Sequence, residues 1–139
     1  MAGAILVPTH LVFADANVLF SRTLRDWTLM LGKACNSFAV VSSRDCLVEV
    51  IANIRERNPA AEGGTISHIH DLIEGSLHDL MTQYPGGPIA GMPDEKDWHV
   101  VHAAAKAEAR ILVTSNMKDV APVAEFLPFE LYSPDELFD

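Results

Sequence analysis

A chain of 139 residues, 49% hydrophobic and 21% charged, is long enough for one buried core and too apolar to stay disordered. Its formal charge of -9, from 10 Lys and Arg against 19 Asp and Glu, argues against the broadly basic surface that draws proteins to nucleic acid. A carboxylate cluster that holds divalent cations would leave the same acidic balance, so the charge weakens a nucleic-acid substrate without excluding it.

Apolar runs break well before the length of a bilayer crossing, so no membrane span is expected. The opening "MAGAILVPTHLVFADA" lacks a basic leader region and is interrupted by Pro8, Thr9 and His10, which favours a cytoplasmic location over a signal peptide. Cys35 and Cys46 are too few for a zinc site or a disulfide framework and read as reduced, partly buried thiols.

Taken in order, residues 11–15 read as a strand. Residues 17–33 follow as a helix in which Leu19, Phe20, Leu24, Trp27 and Leu31 recur at near-helical spacing. "SFAVVSS" is a second strand, and Ser42 with Asp45 predicts a capping box opening a helix that runs to about Arg57. Ile66, Ile69, Leu72, Ile73, Leu77, Leu80 and Met81 mark an amphipathic helix over 66–83, followed by the Pro- and Gly-rich loop "YPGGPIAGMP". A helix over 95–109 leads into the strand "RILVTSN". A short helix over 117–126, a strand near 129–132 and a last helical turn at "SPDEL" close the chain. Strands alternating with helices predict one α/β domain over residues 1–139, built on a mostly parallel sheet. Ligands gather beyond the carboxyl ends of strands in such sheets, which is where Asp15 and Thr114-Ser115-Asn116 fall.

Each acid near those ends has two readings. Asp15 is a helix cap or a site residue. At about 100° per residue, Asp97 shares a helix side with Val100, Val101 and Ala104, whereas His99, His102 and Lys106 project oppositely. An ionised carboxylate on an apolar side needs a partner or a metal; alternatively Asp94 caps the helix and Asp97 sits favourably in its first turn. Glu49 shares a face with Asp45 and Glu56, which is equally a solvated acidic stripe. Asp119 fits the reciprocal partner of an Asn116 cap. Of the six histidines, His68, His70, His78, His99 and His102 form no zinc pattern.

In this order, "FADANVLFS", "CLVEV", "DEKDWHVVHAAA" and "ILVTSNMKD" resemble the PIN-domain ribonucleases, the fold of VapC-type toxins of bacterial toxin–antitoxin pairs. The resemblance implies a three-layer α/β/α sandwich and places the family's acids on Asp15, Glu49, Asp97 and Asp119. These would act as catalytic residues and as ligands for Mg²⁺ or Mn²⁺, with Asn17, Thr114 and Asn116 supporting them. Arg22, Arg44 and Lys118 lie near these motifs as candidate contacts to an RNA substrate, or as ordinary surface charge. The resemblance further implies a homodimer and a small antitoxin protein as partner. The short Pro/Gly loop before Asp97, where relatives often carry more sequence, leaves substrate choice open. An aspartate-nucleophile phosphatase would need an Asp where Asn17 stands. The alternative of another class is a non-catalytic PIN-like module that binds RNA or acts as a scaffold.

Overall fold

The computed structural model describes residues 10–21, 25, 26, 30 and 38–138. Its strands are β1 (His10–Ala14), β2 (Phe38–Ser43), β3 (Asp79–Met81), β4 (Ile111–Val113) and β5 (Glu130–Tyr132). Its helices are α1 (Ala16–Phe20), α2 (Arg44–Arg57), α3 (Gly63–Ser76), α4 (Trp98–Lys106), α5 (Met117–Val120) and α6 (Pro134–Phe138), with 3-10 turns at Glu95–Asp97 and Ala121–Phe126. The expected helix over 17–33 is interrupted: α1 stops at Phe20, where Ser21 turns extended, and Arg25, Asp26 and Met30 are helical beyond it. Arg22, and Cys35 further on, lie outside the described residues.

All strand pairs are parallel, in the order β3-β2-β1-β4-β5. Val12–Ala14, Ala39–Ser43 and Ile111–Val113 are continuously buried, as central strands covered on both faces must be. The edge strands β3 and β5 are three residues each and half exposed, which limits unpaired edge. The chain steps outward from β1 to β2 and β3, then returns to β1's other side with β4. That reversal opens a crevice at the carboxyl ends of β1 and β4, the position where open parallel sheets receive ligands. Asp15 and Thr114 follow those two ends directly.

Three further expectations need correction. The apolar recurrence over 66–83 divides: α3 ends at Ser76, Leu77 turns extended, and Leu80 and Met81 pair with Ser42 and Ser43 in β3. Three residues are too few for periodicity to separate a strand from another helical turn, and the open edge of β2 decides. The cap of α2 is Ser43, whose Oγ accepts from the Cys46 N–H at 3.1 Å, while Ser42 Oγ instead donates to the Ala14 carbonyl at 2.7 Å. Two adjacent serines satisfy a cap pattern equally; being buried between β1 and β2 assigns Ser42 to the sheet. The segments expected as single helices over 95–109 and 117–126 each combine a 3-10 turn with an α-helix.

The loop between β3 and α4 is seated at several points. Met92 is buried, its carbonyl accepts from the Trp98 indole N–H at 2.6 Å, and His102 Nε2 lies 3.0 Å from the Gly87 carbonyl. Gly91 has φ +89°, and a Cβ there would stand 2.6 Å from Val123 Cγ1. Gly91→Ala therefore combines left-handed strain with a clash against a buried side chain and should cost about 1–3 kcal/mol. Thermal unfolding checks this: the melting temperature should fall by several degrees, and an unchanged value would contradict the tight seating of the loop.

Candidate active site

Asp15 is 6% exposed, an unusual position for a carboxylate without partners. It caps α1 by accepting the Ala16 N–H on Oδ1 at 2.6 Å. Its Oδ2 accepts from Thr114 Oγ1 at 2.8 Å and from Asn17 Nδ2 at 3.3 Å. Asn17 also reaches across, its Oδ1 accepting the Ser115 N–H at 3.0 Å and its Nδ2 donating to Thr114 Oγ1 at 3.3 Å. Thr114, fully buried, accepts the Asn116 N–H on the same hydroxyl at 3.0 Å. The turn after β1 and the turn after β4 are thus joined by side chains. Asp15 is both helix cap and cleft residue.

Asp97 ends the 3-10 turn and makes no cap hydrogen bond, because Asp94 takes that role by accepting the Lys96 N–H at 3.0 Å. The Asp97 carboxylate is left for the cleft, where Oδ1 accepts from Asn116 Nδ2 at 3.2 Å. Asn116 correspondingly makes no side-chain cap for α5, contrary to the capping alternative. Glu49 faces the same space from the second turn of α2. A cleft of about 440 Å³ is lined by Asp15, Asn17, Glu49 and Asp97, with Asn116, Val100 and three residues that the sequence did not single out as site candidates: Asn53, Asp94 and Lys96. Asn53 could have been found from its place one turn beyond Glu49. Asp94 and Lys96 flank Asp97 in sequence, but only the 3-10 turn aims them together.

Asp119, Arg44 and Lys118 stand outside the lining residues, although the Asp119 charge still reaches Asp97. His99 departs from expectation: rather than projecting away, its Nε2 lies 3.7 Å from Glu49 Oε1. The rotation of about 100° per residue of an ideal helix does not apply across the 3-10 junction, where Asp97 is not yet part of α4.

Burial pushes the Asp15 carboxyl upward, against the Thr114 and Ala16 hydrogen bonds, and the Glu49 charge adds to the rise. Asp97 is also raised, first by burial and then by the charges of Asp94 and Asp119. His99 is pushed up to about 10 by Cys46 and Glu49 against its own burial; its Nδ1 is buried without a hydrogen-bond partner, so the cost of protonation falls there. Carboxylates raised by burial and by neighbouring negative charge form a donor set suited to a hard divalent cation, which prefers carboxylate and water oxygens. Among the described residues, the only trio of potential ligand atoms within 4.8 Å of one another is His70, Asp71 and Glu74, on the exposed face of α3. The cleft acids are spread more widely than that.

No family model matches the chain, and no curated protein sequence matches it. Solved structures do. The chain is similar to one in VapBC2 from Rickettsia felis bound to a DNA fragment from their promoter, at 12% identity and a TM-score of 0.58, covering 88% of this chain and 98% of that one. It is also similar to one in VapBC-1 from nontypeable Haemophilus influenzae, at 12% identity and a TM-score of 0.60, covering 90% and 98%. At this identity the likeness is one of fold, and it bears out the PIN-like α/β/α sandwich expected from the sequence. Among the described residues, no helix is long and apolar enough to cross a membrane.

The raised carboxyls carry a sign for stability. Asp15 and Asp97 hold their protons more tightly in the fold than in the unfolded chain. Their contribution is therefore greatest below the unfolded value of 3.8 and is lost as pH rises through the folded values. His99, raised from 6.5 to about 10, acts in the same direction at higher pH. In EDTA, melting temperature should fall as pH rises from 3.8 toward about 10, less steeply at the acid end in Asp97→Asn than in the wild type. A melting temperature that rises over this interval would contradict the electrostatics of the cleft.

Proposed function

We propose that this chain is a metal-dependent endoribonuclease that hydrolyses RNA phosphodiester bonds, and that it serves as the toxin of a toxin–antitoxin pair. The observation that carries the reading is the convergence of Asp15, Glu49 and Asp97 on one cleft at the sheet's switch point, although they lie far apart in the chain. The PIN-like fold and the motif resemblance support the same chemistry.

Asp15 and Asp97 are the main ligands of a Mg²⁺ or Mn²⁺ ion, with Glu49 and Asp119 completing the site directly or through water. Bound there, such a cation supplies charge neutralisation at the phosphoryl oxygens and a water of lowered pKa. Thr114 and Asn17 hold the Asp15 oxygens in place, and Asn116 does the same for Asp97. Glu49, with Asp119, orients the attacking water by accepting its hydrogen bond. Lys96 is the only basic side chain among those lining the cleft, and no ion pair engages its ammonium among the described residues. It takes a non-bridging phosphate oxygen of the strand. Arg44 and Lys118, outside the lining, would meet the backbone further along. The antitoxin covers the cleft mouth, and the chain acts as a homodimer.

Cleavage of mixed RNAs should require Mg²⁺ or Mn²⁺, stop in EDTA, and fall by at least about 100-fold in Asp15→Asn and in Asp97→Asn, with folded circular dichroism spectra retained. Full activity in either variant refutes the assignment. Lys96→Met should raise KM several-fold while leaving kcat within about two-fold. A fall in kcat at constant KM would instead place Lys96 at the reacting atoms.

A further inference from the structure

Glu49 is the loosest of the cleft acids. It stands on the second turn of α2 with 46% of its side chain exposed, and no hydrogen bond to it is formed among the described residues. A long, half-exposed glutamate loses rotamer entropy when held in one place, so something must hold it if it is to orient a water. The group in position is His99, in the first turn of α4, whose Nε2 lies 3.7 Å from Glu49 Oε1. Its own side chain is only 23% exposed. Cys46, a fully buried residue one turn before Glu49 on the same helix, interacts electrostatically with the imidazole. His99 is therefore the fixed member of the pair and Glu49 the member it steers.

We infer that His99 is a positioning residue for Glu49, bridging α4 to α2 so that the Glu49 carboxylate is held against the cleft opposite Asp15 and Asp97. The inference rests on the cation-holding reading of the cleft and names a residue which that reading does not use. His99 and Asp97 are two residues apart, so the same start of α4 that presents Asp97 also presents the group that holds the opposing acid. Any shift of α4 relative to α2 moves both walls together.

A double-mutant cycle on Mn²⁺ binding, followed by calorimetric titration of the full chain, tests this without relying on cleavage. His99→Met fills the half-buried space without a donor; His99→Gln retains a donor nitrogen. In the wild-type background His99→Met should weaken Mn²⁺ binding about 10-fold, the loss typical when a supporting partner is removed. His99→Gln should recover most of that loss. In the Glu49→Gln background, His99→Met should cause no further loss, because the group it steers is gone. Equal losses in both backgrounds, or no loss in the wild-type background, overturn the positioning role while leaving the cation site standing. Failure of the wild-type chain to bind Mn²⁺ overturns the cation reading and this inference together. If His99→Met does not fold, His99→Asn, too short to reach Glu49, takes its place: a loss in the wild-type background that vanishes in the Glu49→Gln background supports the role, and equal losses in both, or none in the wild-type background, overturn it.

Discussion

The arrangement depends on a single buried carboxylate. Asp15 follows the central strand of the sheet, where desolvation opposes its charge, and it is retained there by a hydroxyl, an amide and a backbone N–H from both sides of the β1–β4 crevice. Those donors oppose the rise in its pKa without cancelling it. With them, the carboxylate fixes the relative positions of the two strand ends. The Thr114 hydroxyl that donates to Asp15 also accepts the Asn116 N–H, and Asn116 in turn donates to Asp97. One short chain of hydrogen bonds therefore sets two of the cleft's acids.

The opposite wall is made differently. Its residues come from a helix and from a loop, and are held by packing. Trp98 and His102 tie the loop to α4, and Gly91 lets it approach Val123 at a distance no side chain would permit. This brings the Glu95–Asp97 turn to the cleft with Asp94 serving as the cap, so that Asp97 is free of backbone duties. The strand-end wall is held by β1 and β4 as hydrogen-bonded neighbours; the loop wall, with Asp97, owes its place to a few side-chain contacts.

Burial raises the Asp15 and Asp97 carboxyls, and the nearby charges of Glu49, Asp94 and Asp119 add to the rise, so the cleft favours protons or a cation over bare negative charge. The net charge of -9 counts those acids as ionised and without a counterion.

Much of this was legible in the sequence because the cues are local. Continuous apolar runs named the buried strands, and Asp15 and Thr114 at the ends of such runs pointed to the switch point. The motif resemblance supplied Glu49, whose helical face by itself looked solvated. Only the tertiary structure decided which of two adjacent serines capped α2, whether Leu80 and Met81 extended a helix or paired with β2, and that Asp94, Lys96 and Asn53 enter the cleft. It also turned His99 toward Glu49. The reason is physical: spacing along a chain fixes which residues share a face, but what that face meets depends on sheet edges, loop seating and the angle between helices, none of which is encoded within a window of a few residues.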